Sequence, residues 1–70
     1  MNQPPIDVVF SADQHYVPHL ATAITSLLET NRRLVERIWV MTDKPSSRRM
    51  RVLRRDILRR YSIQVWALEG

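Results

Sequence analysis

The side chains with the most chemistry in them lie together, in the run Ser11-Ala12-Asp13-Gln14-His15-Tyr16. Four consecutive positions there offer a carboxylate, an amide, an imidazole and a phenol. Gly70 is the one glycine in the chain, so neither G-x-G-x-x-G nor G-x-x-x-x-G-K-[ST] is present. Without glycine the backbone cannot wrap closely around a diphosphate, which argues against a dinucleotide site or a P-loop. The loop suits the other end of a nucleotide. A carboxylate can accept the imide N–H of uracil, and a tyrosine ring can stack on the base. Taken singly, each residue has a plainer role: Asp13 as a helix cap or turn former, Tyr16 as a packing residue.

Two other groupings need an account. His15 and His19 are four apart, the spacing of a metal pair on one helix face, but Pro18 intervenes and no third ligand accompanies them. They read as solvated histidines near a loop. Seven arginines (Arg48, Arg49, Arg51, Arg54, Arg55, Arg59 and Arg60) fall within thirteen residues of a chain whose net charge is +4. Such a face is most simply a solvated helix surface, its arginine stems covering apolar groups while the heads stay wet. The functional alternative is a non-catalytic basic α/β module that binds anionic membrane or nucleic acid. No aromatic residue interrupts the arginines to stack on bases, which ranks nucleic acid last.

The elements that must position these residues follow from hydrophobic spacing. Ile6–Ser11 is a short, β-branched apolar run, the pattern of a strand buried on both faces of a parallel sheet. From Val17 a helical period begins, with Leu20, Ala23, Ile24, Leu27 and Leu28 on one stripe, Pro18 in the first turn and Asn31 as the stop. Arg37–Thr42 reads as a second buried strand. Asp43-Lys44-Pro45-Ser46 is a turn, with Ser46 or Ser47 capping the next helix. Met50, Leu53, Ile57, Leu58 and Tyr61 mark that helix's inner face, and 62–68 forms a third strand carrying Trp66, as the second carries Trp39. Both tryptophans are expected in the core or on a sheet face.

Strands and helices alternating at these lengths predict β-α-β-α-β with right-handed crossovers and a parallel three-stranded sheet in the order 3-2-1. This is a three-layer, Rossmann-like arrangement and half of a doubly wound nucleotide-binding fold. Ligands in such sheets sit outside the carboxyl ends of the strands, at the point where strand order reverses. That point falls after the first strand, at Ser11–Tyr16, where a helix N-terminus would turn its amides and positive dipole end toward the crevice. In this order the first strand has a free edge, blunted only by Asp7. So apolar an edge expects a fourth strand beside it, or else a dimer that pairs the edges.

Composition narrows the class further. The chain lacks cysteine, which excludes disulfides and thiolate metal sites. It contains no run long enough to span a membrane, and Met1-Asn2-Gln3-Pro4-Pro5 is not a signal peptide, so the cytoplasm is the expected compartment. Net positive charge leaves room for a peripheral membrane contact.

The run from Asp7 to Tyr16 closely resembles the start of the family 8 glycosyltransferases, which open with an apolar strand, a small-small-Asp-x-x-Tyr loop and a helix rich in Ala and Ser. Ala21-Thr22-Ala23-Ile24-Thr25-Ser26-Leu27 is similar to that helix, and Ile38-Trp39-Val40-Met41-Thr42-Asp43 to the family's second strand and turn. The resemblance covers essentially the whole chain and, in the family, roughly the first quarter of the enzyme. It implies that 1–70 is the N-terminal part of a nucleotide-sugar-binding domain, an incomplete GT-A fold. The implied activity is that of a retaining hexosyltransferase of the lipopolysaccharide galactosyl- or glucosyltransferase kind, moving a hexose from a UDP-sugar to a glycan or lipopolysaccharide-type acceptor. By the same resemblance Asp13 recognises uracil, Tyr16 stacks on it, and Ser11 and Ala12 add backbone contacts. Gln14 and His15 depart from the family pattern and inherit no role. The family's Mn²⁺ site, an Asp-x-Asp motif with a distal histidine, is absent from this sequence, so no catalytic residue is assigned and the chain alone is expected to be inactive.

Overall fold

The computed structural model describes residues 4–70; Met1-Asn2-Gln3, read above as part of a start without an export signal, lies outside the described residues. Strand β1 (Ile6–Ser11), helix α1 (Val17–Asn31), strand β2 (Val35–Thr42), helix α2 (Arg48–Tyr61) and strand β3 (Val65–Glu69) alternate along the chain. Single 3₁₀ turns at Gln14–Tyr16 and Arg32–Leu34 lead into α1 and β2. Both strand pairs are parallel and the sheet order is β1-β2-β3. This small α/β domain therefore has β2 as its one strand paired on both edges.

Alternation along the strands sorts their side chains between two faces. One face carries Val8, Ile38 and Val65 in one register row and Phe10, Val40 and Ala67 in the next. Against it α1 buries Val17, Leu20, Ile24 and Leu28, and α2 buries Met50, Leu53 and Ile57, in a single apolar cluster. Both helices cover the same face, so the described residues build two layers and not the expected three. The reason is topological. Strand order advances in one direction, and successive crossovers of one hand return on one side of the sheet.

The opposite face is open. It presents Asp7, Val9 and Ser11 from β1, Arg37, Trp39 and Met41 from β2, and Trp66 and Leu68 from β3. Val9 is 61% exposed, which corrects the expectation that β1 is buried on both faces. Trp39 and Trp66, paired in register, stack with ring centroids 5.6 Å apart. Asp7 is drawn across onto β2, accepting from Arg37 Nε at 3.3 Å and from Trp39 Nε1 at 3.2 Å.

Within the helices two assignments change. Ala23 and Leu58 point outward, because each stands next to a core residue (Ile24 and Ile57) and neighbouring helix positions are about 100° apart. Ser47 is the residue that caps α2, accepting from the Met50 amide at 3.2 Å. Strand β2 begins earlier than its apolar run suggests and β3 begins later. The segment before β3 is taken up by the end of α2, where Ser62 adopts a left-handed conformation (φ 56°) and donates its amide to Leu58 O at 2.9 Å. Arg32 Nε adds a bond to Tyr61 O at 2.9 Å, and the Tyr61 hydroxyl donates to Glu29 on α1. That bond, with desolvation and the Glu29 charge, raises the Tyr61 pKa against the opposing pull of Arg60.

A left-handed non-glycine residue costs about 1–2 kcal/mol, and glycine at this position of a helix end avoids it. Ser62→Gly is therefore expected to raise stability by about 1 kcal/mol in urea unfolding. Ile38→Ala, at a fully buried position of the central strand, is expected to cost about 2–5 kcal/mol and to leave little folded chain.

Candidate functional site

The carboxyl ends of β1 and β2 lie side by side, since Ser11 pairs with Met41 and the Ala12 amide continues the ladder to Met41 O at 3.0 Å. This brings the Ser11–Tyr16 loop against the β2–α2 turn. Asp13 ends the extended segment and caps the 3₁₀ turn, its Oδ1 accepting from the His15 amide at 2.8 Å and the Tyr16 amide at 3.2 Å. The plain capping role is thus real. It uses one oxygen: among the described residues Asp13 Oδ2 has no partner. The residue is exposed, and that free oxygen can accept a further hydrogen bond.

Tyr16 is 62% exposed, so it is not a core packing residue. Its ring sits 5.4 Å from that of His19, tilted by 53°. The pair gives one helix turn an exposed aromatic platform. His15 is exposed and its amide serves Asp13.

Two residues that the sequence reading left in ordinary roles prove to shape this loop. Asp43, at the end of β2, accepts from the Gln14 amide at 2.9 Å and from the Thr42 hydroxyl at 3.1 Å. Arg49, counted among the α2 arginines, donates from Nη1 to Gln14 O at 3.2 Å. The usable signal was topological: the residue ending the strand beside β1 must face the β1 loop. Burial pushes the Asp43 carboxyl up. The Thr42 hydroxyl, the Gln14 amide, its own amide and the Lys44 charge outweigh that and hold it below its ordinary 3.8.

These bonds revise one expectation. The amides of Gln14, His15 and Tyr16 were expected to face a ligand crevice, but Asp43 and Asp13 occupy all three. Pro18, in the first turn of α1, has no amide hydrogen to offer. Carboxylates already hold these three amides, which therefore have no hydrogen left to give a phosphate. The Ala12 amide is likewise spent on the sheet, leaving its carbonyl for any backbone contact. What remains available is the acceptor on Asp13 and the ring of Tyr16, both suited to a base.

Among the described residues, no group of three or more His, Cys, Asp or Glu is placed to hold a metal. Asp13 and Asp43 are each engaged with backbone amides. One surface concavity lies along β3 beside Arg51, Arg54 and Leu58, and another runs between the helices beside Ala21, Val52 and Ile57, reaching Val17, Pro18 and Arg49 next to the loop. The described residues include no helix long and apolar enough to cross a membrane. No protein-family model matches the chain, and neither the curated proteins nor the solved structures contain a match to it.

Asp43 has a lowered pKa in the folded chain, so its ionised form favours folding. Its contribution is complete above the ordinary carboxylate value of 3.8 and is lost as pH falls through the lower folded value. The protection factor of the Gln14 amide, measured against its intrinsic exchange rate at each pH, is expected to fall over that acid range in the wild type, while that of the Met50 amide held by Ser47 persists. Asp43→Ala should show the low Gln14 protection at neutral pH.

Proposed function

We propose that the chain is a nucleotide-binding α/β module whose ligand is a uridine nucleotide held by its base. More particularly, it is the UDP-recognising N-terminal part of a retaining hexosyltransferase that uses a UDP-sugar, as its resemblance to the family 8 glycosyltransferases implies. The observation that carries this reading is the pairing of one unpartnered carboxylate oxygen on Asp13 with the exposed ring of Tyr16 at the carboxyl end of β1. In it, Asp13 Oδ2 accepts the uracil imide N–H while Oδ1 keeps the 3₁₀ turn closed, and Tyr16 stacks on the ring. Ser11 and Ala12 line the approach with backbone. The diphosphate, the sugar and the acceptor contact other parts of the transferase, including the metal site, so this chain binds without catalysing transfer.

The dual use of Asp13 makes the proposal sharp. An asparagine in its place would have one acceptor oxygen, which the cap consumes, and its remaining group is a donor that repels the imide N–H of uracil. Asp13→Asn is therefore expected to stay folded but to weaken UMP binding about 10- to 100-fold, the range of a hydrogen bond to a charged group. The same variant should gain relative preference for CMP, whose ring nitrogen is an acceptor. Nitrogen–proton correlation spectra under UMP, UDP and CMP titration check this. Shifts confined to Ser11–Tyr16, abolished by Tyr16→Ala, are the expected outcome. A folded wild type that shows none at millimolar UMP, or that responds equally to CMP, overturns the reading.

A further inference from the structure

Helix α2 carries a charge cost that the ion pairs among the described residues do not relieve. Arg51, Arg55 and Arg59 follow one another at i, i+4 and i+8, so two like-charge pairs are stacked on one side of it. Arg48 and Arg49 open the helix, where the macrodipole disfavours cations. Asp56 is the single acid in the helix. Three of the arginines have structural work: Arg49 holds Gln14 O, Arg54 donates to Val65 O at 2.9 Å, and Arg60 lies over the Tyr61 ring. Among the described residues Arg48, Arg51, Arg55 and Arg59 make no hydrogen bond or ion pair; the one salt bridge, Arg37 to Asp7, is on the far face of the sheet.

These four arginines lie on the side of α2 turned away from Met50, Leu53 and Ile57, with exposed Val52 and Leu58 set among them. From Arg48 to Arg59 the charged surface runs about 17 Å along the helix. It is the outer surface of the helical layer, bordered by shallow concavities beside Arg51 and Leu58 and beside Arg48 and Val52, and it has no aromatic side chain that could stack on a base. We infer that this face of α2 binds the surface of an anionic lipid bilayer, its guanidinium groups pairing with headgroup phosphates and Val52 and Leu58 resting at the interface. Guanidinium pairs with phosphate through two parallel bonds and is less strongly hydrated than ammonium. Clusters of four to eight basic residues on an amphipathic helix are the pattern of anionic-lipid recognition. The inference rests on α2 alone and is independent of the uridine site.

Co-sedimentation with vesicles tests it. The chain is expected to pellet with phosphatidylcholine vesicles containing one-third phosphatidylglycerol, to ignore pure phosphatidylcholine, and to release as salt rises from about 0.1 M to several times that, where charge attraction is screened. Each arginine near an anionic surface strengthens binding about fivefold, so replacing Arg48, Arg55 and Arg59 together by Gln should weaken it roughly 100-fold. These three have no partner among the described residues, and circular dichroism of the variant should match the wild type. Arg33→Gln with Lys44→Gln removes charge elsewhere and should leave most of the affinity. The inference is overturned by equal binding to neutral and anionic vesicles, by undiminished binding of the folded triple variant, or by duplex DNA of equal phosphate content stripping the protein from the vesicles. Failure of any of these leaves UMP titration unaffected, so the two readings stand or fall separately.

Discussion

One apolar layer holds the domain together, and it has only one side. Ile38 and Val40, fully buried on the central strand, are covered by residues from both helices. A chain of seventy residues buries a modest share of its surface, about 60% of what the unfolded form exposes. The stability that results depends on this single layer being complete. The details at its margin serve that end: Ser47 starts α2, Ser62 and Arg32 finish it, and the Tyr61–Glu29 bond ties it to α1.

The same placement of helices decides what the other face of the sheet looks like. Alternation forces Val9, Trp39, Met41, Trp66 and Leu68 onto the side with no helix. The stacked tryptophans recover part of the burial this face lacks, since aromatic pairs gain about 0.5–1.5 kcal/mol beyond their area. Asp7 tucks onto the Arg37–Trp39 side of that surface, which leaves the outer edge of β1 with little charge to protect it. The described residues contribute no strand to that edge.

At the carboxyl ends of the strands, polar groups follow a different logic. Two carboxylates from neighbouring strand ends satisfy three loop amides, and an arginine from α2 holds the carbonyl between them. Two of these bonds close the loop on itself, and the other two tie it to the end of β2 and the start of α2. Amides already paired in this way cannot also cradle a phosphate. What the loop can still offer a ligand is an acceptor and a ring.

Much of this was legible in the order of residues. The β-α-β-α-β alternation, the parallel order, Ile6–Ser11 as a strand, Asn31 as the end of α1 and a serine cap on α2 all follow from spacing, because burial periodicity and capping are local. So was the clustering of arginine on one helix. The chain's order could not show that both helices share one face, that Ala23 and Leu58 turn outward, or that Trp39 meets Trp66. Those outcomes depend on which way the crossovers return and on the register between strands, and both are set by packing across distance. Nor could it show that Asp43 and Arg49 reach the Ser11–Tyr16 loop from 29 and 35 residues away. Local pattern chooses the elements and their polar ends. The tertiary structure alone decides which ends meet, because a hydrogen bond between distant residues exists only once the sheet has brought their strands side by side.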